Sequence, residues 1–370
     1  EKDMPEVVKI GFIGPLSGAN SAEGLPAKDA FQMLFDEANQ KHLLPYDVEV
    51  VSCDDASIPE IGSEAAAKLL EDSGVLAVSA HWNSPVAEAT IPMFVSENCP
   101  MVIWGAISES LTCDDNYPYI TRVVPTDKQE NQPLAGYVLG DLGYSQIFII
   151  TDTTSYGRSN TAAFQTQMSD YSAKLAGTAE VEPGTTDFKA VLHKAKQSGC
   201  DAVFYGGTAQ ECGLIAAQMN EMGISDILLF GISGIASEEF ITTAGQKAAE
   251  GTIASSPGID PNSSASYNAF LEDFQKYSKN NIGTFTVYSY HAAQVILAAL
   301  QSIDGVPDRE KLTAAIADVD MDGVLGHTTF DAIGQTTNPM CYLVVCQDGK
   351  WVPYDTSEYG TGIRTLAGRK

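Results

Sequence analysis

Val78-Ser79-Ala80-His81-Trp82-Asn83-Ser84-Pro85-Val86-Ala87-Glu88-Ala89 carries an apolar strand into the start of a helix, and the fold follows from how that passage is read. Ser84 stands where an N-cap belongs and Pro85 where the first helical residue belongs. The Ser84 oxygen and the amides of the first turn then face whatever lies beyond the strand end, which is the chemistry of an anion site. The alternative is that Ser84 only caps its helix. A second exit follows at once, because Pro100-Met101-Val102-Ile103-Trp104 reads as a buried strand. Gly105-Ala106-Ile107-Ser108-Glu109-Ser110 then reads as a loop opening another helix, and Ser108 has the same two readings.

The same unit recurs toward the N-terminus. Val7-Val8-Lys9-Ile10-Gly11-Phe12-Ile13-Gly14 is a strand, residues 15–24 are a glycine-containing loop, and residues 27–40 are a helix with Ala30, Met33, Leu34 and Ala38 on one side. A second strand, residues 47–52, exits through Cys53-Asp54-Asp55-Ala56-Ser57 before a helix carrying Ile61, Ala65, Leu69 and Leu70. Strands alternating with helices predict a parallel sheet covered on both faces, with ligands beyond the carboxyl ends of the strands. After Thr121-Arg122-Val123-Val124-Pro125-Thr126 a similar series starts afresh. A helix containing Leu134, Tyr137, Val138 and Leu142 leads to a strand over 146–151 and the loop Asp152-Thr153-Thr154-Ser155-Tyr156-Gly157-Arg158. Strands at 202–205 and 227–230 exit through Gly206-Gly207-Thr208-Ala209-Gln210-Glu211 and Gly231-Ile232-Ser233-Gly234-Ile235. An apolar helix over 288–297 and a strand over 341–346 fit only if the chain crosses between lobes more than once.

At 370 residues the chain suits two domains of ordinary size. A hydrophobic content of 44% is that of a globular protein, and a net charge of −27 argues against nucleic acid and anionic membrane as direct partners. No apolar run reaches membrane-spanning length, and the opening residues Glu1-Lys2-Asp3-Met4-Pro5 do not read as a signal peptide. The reading is of a cytosolic protein or a mature exported one. Seven cysteines, at 53, 99, 113, 200, 212, 341 and 346, show no CxxC pair and no zinc spacing, which leaves bridging open and predicts no metal site.

The strand exits lack the glycine patterns of dinucleotide and nucleotide phosphate sites, so no cofactor is expected. No serine sits in a GxSxG frame. His81 near Ser84 offers a hydrolytic dyad, but a histidine at a strand exit is read first as a hydrogen-bonded structural residue. Asp54 and Asp55 are read as strand-end caps rather than cation ligands. Trp82 stands beside a strand end as either a core residue or a pocket wall.

The opening Val8-Lys9-Ile10-Gly11-Phe12-Ile13-Gly14-Pro15-Leu16-Ser17-Gly18, residues 84–89, residues 152–157, Tyr205-Gly206-Gly207 and residues 326–334 occur in an order that resembles the leucine/isoleucine/valine-binding protein family. These are the type I solute-binding proteins of ATP-driven importers. The resemblance implies an α/β fold of two Rossmann-like, doubly wound lobes joined by three crossovers, with a small ligand in the cleft between them and hinge closure on binding. It places the crossovers near Val124-Pro125, Ser255-Ser256-Pro257 and Ile333-Gly334-Gln335. Lobe 1 is then residues 1–124 and 257–333, and lobe 2 residues 125–256 and 334–370.

The resemblance further implies export with the signal peptide removed, a periplasmic or extracellular location, free or lipid-anchored, a monomer, and an importer permease as partner. It assigns no catalytic residue. Ser84 is similar to the carboxylate-binding serine, with Asn83 its neighbour if the alignment slips by one. Ala106 and Ser108 match strand-exit positions that hold the ligand's amino and carboxylate groups. Tyr156 matches the tyrosine that closes over the ligand, Thr208 falls where an aromatic residue is frequent, and Phe285 and Tyr288 approach the side-chain end of the pocket. Ser233 stands where amino-acid binders carry an acid for the ammonium, and Glu23, in a loop position, is a candidate substitute. The ligand is expected to be an amino acid, or else an aromatic, aliphatic or keto acid without an amino group. A ligand-sensing receptor domain is the alternative to transport.

Overall fold

The computed structural model describes residues 4–224, 226–260 and 264–369, and they form two compact units. The first is built from residues up to Pro125 and from Gly258–Met340, the second from Thr126–Pro257 and from Cys341 onward.

In chain order, the first unit begins β1 (Val7–Gly14), α1 (Ser21–Gln40), β2 (Asp47–Asp54), α2 (Pro59–Glu71), β3 (Val75–Ser79), α3 (Ser84–Ser96), β4 (Met101–Ile103) and β5 (Ile120–Arg122). The second unit follows with α4 (Asp127–Ala135), β6 (Gln146–Asp152), α5 (Ser155–Met168), β7 (Lys174–Val181), α6 (Lys189–Gln197), β8 (Ala202–Tyr205), α7 (Ala209–Glu221), β9 (Leu228–Gly231), α8 (Glu238–Ala244), α9 (Gln246–Ala249) and β10 (Ile253–Pro257). The chain then returns to the first unit for α10 (Ala265–Tyr277), α11 (Thr286–Ser302), α12 (Arg309–Ala317) and the ribbon β11 (Met321–Gly323) and β12 (Gly326–Thr328). It finishes the second unit with β13 (Cys341–Gln347) and β14 (Lys350–Pro353).

The first sheet is parallel throughout, in the order β2-β1-β3-β4-β5. The second runs β14-β13-β10-β9-β8-β6-β7, parallel except for the antiparallel pairs that β13 makes. Central strands such as β3 and β8 are buried along their whole length, as continuous apolar runs in a doubly covered sheet must be. Each sheet reverses its winding once, between β1 and β3 and between β6 and β8, and in open α/β sheets ligands bind outside the carboxyl ends at such points.

Several local expectations change. Helix α1 starts at Ser21, not at 27, because Pro26 is accommodated inside it, so Glu23 lies in a helical first turn rather than in a loop. Strand β7 escaped the sequence reading because most of its residues are exposed or half-buried, which erases the apolar signal. All seven cysteines are free thiols. Residues 334–340 remain with the first unit instead of opening the second. The Arg122 N–H donates to the Gly334 carbonyl at 2.8 Å and the Thr336 N–H to the Arg122 carbonyl at 3.0 Å, which zips this segment onto the end of β5. Gly334 has φ +83, and a Cβ there would come within 2.3 Å of the Ile120 carbonyl, so the close approach requires glycine.

Candidate functional site

The exits of β3 and β4 meet at Ser84. The helix begins one residue earlier than its sequence suggests, so Asn83 is the N-cap residue, Ser84 the first helical residue and Pro85 the second. The capping reading of Ser84 does not hold, since Asn83 occupies the cap position, without a side-chain cap bond, and Ser84 reaches across to the neighbouring exit. Ser84 Oγ accepts the N–H groups of Ile107 at 3.3 Å and Ser108 at 3.2 Å. The Ala106 N–H donates to the His81 carbonyl at 2.9 Å, completing the join. Around it, among the described residues, Trp82 Nε1, Asn83 Oδ1 and Ser108 Oγ are buried without a hydrogen-bond partner. Buried polar atoms are rarely left so, and a cluster of them at strand carboxyl ends is a ready set of contacts for a polar ligand.

Beside this polar group stands an aromatic wall. Trp82 meets Phe285 edge-on at 6.2 Å between ring centroids, and Phe285 lies 6.4 Å from Tyr288. All three are buried. Glu23 joins the same region but faces α11: its carboxylate accepts the Thr284 N–H at 3.3 Å and the Phe285 N–H at 3.2 Å. Burial pushes its pKa up to about 7, against the lowering effect of those two amides. A carboxylate already spent on the amides that lead into a helix is a poor free partner for a ligand ammonium, so the sequence reading of Glu23 is revised to a structural one.

His81 does not pair with Ser84. Its Nδ1 lies 2.8 Å from Asp55 Oδ2 and its Nε2 2.9 Å from Thr90 Oγ1, and all three residues are fully buried. The hydrolytic arrangement therefore fails on access: no solvent or substrate reaches the ring, which ties the exits of β2 and β3 to α3. Asp54 behaves as a strand-end cap, with one oxygen accepting from Leu16 and Ala56 N–H groups at 2.8 Å each.

In the second unit, Tyr156, Thr208 and Ser233 stand at the carboxyl ends of β6, β8 and β9. The Thr154 hydroxyl caps α5 by accepting the Gly157 N–H at 3.0 Å, which sets Tyr156 in the first turn. The Tyr156 hydroxyl packs so closely on Gly234 that a Cβ there would meet it at 2.2 Å. Burial first, and then the carboxylates of Glu130, Asp152 and Asp127, hold its phenol well above the usual range. Thr208 is the N-cap residue of α7, its hydroxyl donating to Glu211 at 3.2 Å. Ser233 is buried and gives both its N–H, at 3.0 Å, and its hydroxyl, at 2.9 Å, to the carboxylate of Glu130.

Glu130 is the residue that sequence reasoning missed. It is wholly buried in the first turn of α4, and burial raises its pKa to about 8 despite the two bonds from Ser233. A signal was present, because Thr126 and Gln129 form a capping box that announces where α4 starts and so places Asp127 and Glu130 in its first turn. Arg122 was also missed as more than a boundary residue.

Two sets of strand-end residues thus stand in two doubly wound units that the chain enters twice each. The family model for periplasmic binding proteins matches residues 7–350. The chain belongs to the periplasmic binding protein family. It is a type I member of the leucine/isoleucine/valine-binding group. It is 28% identical over 351 residues to the Leu/Ile/Val-binding protein BraC3 of Rhizobium johnstonii, covering 93% of each chain. The branched-chain amino acid substrate-binding protein LivJ of Streptococcus pneumoniae, solved with isoleucine, superposes with a TM-score of 0.85 at 25% identity, over 93% of this chain and 97% of that one. A solute-binding protein of an ABC transporter from R. palustris, solved with benzoate, has the same fold with a TM-score of 0.83 at 19% identity, over 94% and 95%. Members of this family bind substrates rather than transform them, and the family lies outside the cytoplasm.

Proposed function

We propose that this chain is the extracytoplasmic receptor of an ABC importer and that it binds a small amino acid with an apolar side chain at the carboxyl ends of its strands. The observation that carries the reading is the contrast between the two strand-end sets. In the first unit, unpartnered donors at Trp82 and Ser108 suit a carboxylate, and Asn83 Oδ1 adds an acceptor. In the second, Glu130 stands directly behind Ser233. The Ser233 hydroxyl spends its hydrogen on Glu130 and keeps its lone pairs, so it can accept an ammonium hydrogen, and the arriving ammonium in turn favours the ionised form of the buried acid. Glu130, not Glu23, takes the place of the acid absent at position 233. The wall of Trp82, Phe285 and Tyr288 fits a side chain such as that of leucine, isoleucine or phenylalanine.

A ligand that binds one conformation better than another shifts the population toward it by its differential affinity, and a permease reads that form. No bond is made or broken. The protein acts as a monomer, free in the periplasm or tethered by a lipid at the cell surface. A second reading is favoured by the raised pKa of Glu130: a carboxyl group that keeps its proton near pH 7 suits an acid lacking an amino group. Calorimetric titration of matched pairs separates the two, leucine against 4-methylpentanoate and phenylalanine against 3-phenylpropanoate. Tighter binding of the amino acid in each pair is expected, with a fall in radius of gyration by small-angle scattering at saturation. Tighter binding of the des-amino member throughout overturns the amino-acid reading.

A further inference from the structure

Arg122 is fully buried at the end of β5, and its five N–H groups have five acceptors. Nη1 donates to the carbonyls of Ser108 at 2.6 Å and Ala106 at 3.4 Å. Nη2 donates to the Glu109 carbonyl at 3.4 Å and the Thr112 hydroxyl at 2.8 Å. Nε donates to Gln335 Oε1 at 2.7 Å, while Gln335 Nε2 donates to the Val124 carbonyl at 2.9 Å. One side chain thus grips the back of the β4 exit and, on its other edge, the segment that zips onto β5.

The consequence for the exit loop follows from peptide geometry. In a trans peptide the C=O and the following N–H point in opposite directions. Drawing the Ala106 carbonyl toward Arg122 therefore turns the Ile107 N–H the other way, and that N–H is the one found on Ser84 Oγ. Holding the Ser108 carbonyl likewise restricts how the residue can rotate, and with it the buried, unpartnered Ser108 hydroxyl. A planar guanidinium fork imposes such directions where a lysine ammonium, a point charge with three donors, does not.

We propose that Arg122 is a positioning residue for carboxylate recognition: it presets the amides and hydroxyl of the 106–109 loop for a ligand carboxylate and locks that loop to the 334–337 segment, so that the two respond as one piece. The ligand-facing half of this rests on the function proposed above; the locking half does not.

Hydrogen exchange on the unliganded protein tests the lock with Arg122→Lys and with Gln335→Leu, which keeps the guanidinium and its carbonyl bonds. Peptides covering 104–112 and 334–337 are expected to exchange faster together, by about tenfold in Arg122→Lys and by less in Gln335→Leu, with β6 and β8 unchanged. Acceleration of only one of the two segments in either variant overturns the lock. Should Arg122→Lys fail to fold, the Gln335→Leu result decides alone. Titration with L-leucine tests the preset: Arg122→Lys is expected to weaken binding about tenfold, and to cost much less than that in a Ser108→Ala background, because the hydroxyl it positions is gone. Additive losses overturn the positioning role. If the native protein takes up no leucine and none of the paired acids, the functional reading falls, and the exchange result still rules on the lock.

Discussion

The carboxylate of Glu130 lies fully buried against Ser233, taking its backbone N–H on one oxygen and its hydroxyl on the other, at 3.0 and 2.9 Å. A side chain from the first turn of α4 is thereby placed directly beneath the end of β9. If that acid answers a ligand ammonium, Glu130→Gln costs leucine about 1.5 to 3 kcal/mol of binding and leaves 4-methylpentanoate nearly unchanged. Isothermal titration of both ligands against both proteins checks this, and equal losses for the two would remove Glu130 from amino-group recognition.

The raised pKa of Glu130 also makes a stability prediction. Folding moves it from an ordinary 4.5 to about 8, and Glu23 shifts the same way, to about 7. Between those values the folded chain holds protons that the unfolded chain releases, so stability is greatest at the acid end of the window and declines as pH rises from about 5 to about 8. The groups facing Glu130 are Ser233, Asp127, Tyr156 and Cys341; the Asp127 carboxylate adds to burial in opposing its ionisation, while Tyr156 and Cys341, held well above their usual range, stay neutral. Unliganded protein is expected to lose on the order of 5 kcal/mol across that window by denaturant unfolding, and Glu130→Gln to lose about half as much. An unchanged pH slope in the variant would rule out Glu130 as its source.

Ser84 and Ser108 are predicted to differ. Ser84→Ala strips the acceptor from two buried amides, so it lowers stability by about 1 to 3 kcal/mol and weakens binding as well. Ser108→Ala removes a hydroxyl that has no protein partner, so melting stays close to that of the native protein while carboxylate affinity falls about tenfold. Paired melting and titration measurements distinguish the residues, and a stability loss in Ser108→Ala matching that of Ser84→Ala would contradict the assignment.

His81 is predicted to be structural. His81→Ala leaves the buried Asp55 and Thr90 without their shared partner and opens a cavity, at a cost of about 3 kcal/mol or more by denaturant unfolding. The native protein, incubated with ester and amide substrates, is expected to show no turnover that His81→Ala abolishes.

How much was legible depends on the range of the interaction. Ser84, Ser108 and Trp82 were singled out from strand exits and helix starts, Phe285 and Tyr288 from the family resemblance, and all five fall on one unit. Tyr156, Thr208 and Ser233 were named through the same resemblance and fall on the other. The pairing of Ser84 with the next exit was not legible, because an N-cap reading and a cross-loop bond call for the same residue type at almost the same position. Glu23 was misread because its helix was expected from residue 27 and starts at Ser21, and because the acid's partners lie across 261 and 262 residues of chain.

By itself, the sequence determined the alternation of strand and helix, hence the parallel sheets, the edges where ligands bind and the two doubly wound lobes. Those features follow from side-chain periods of two and 3.6 residues, which each segment carries locally. Only the tertiary structure decided which acid stands behind Ser233, 103 residues away, which carbonyls Arg122 grips, and which segment Gln335, 213 residues from it, is locked to. These contacts depend on strand order and on how helices bury against the sheets, and local periodicity carries no information about either.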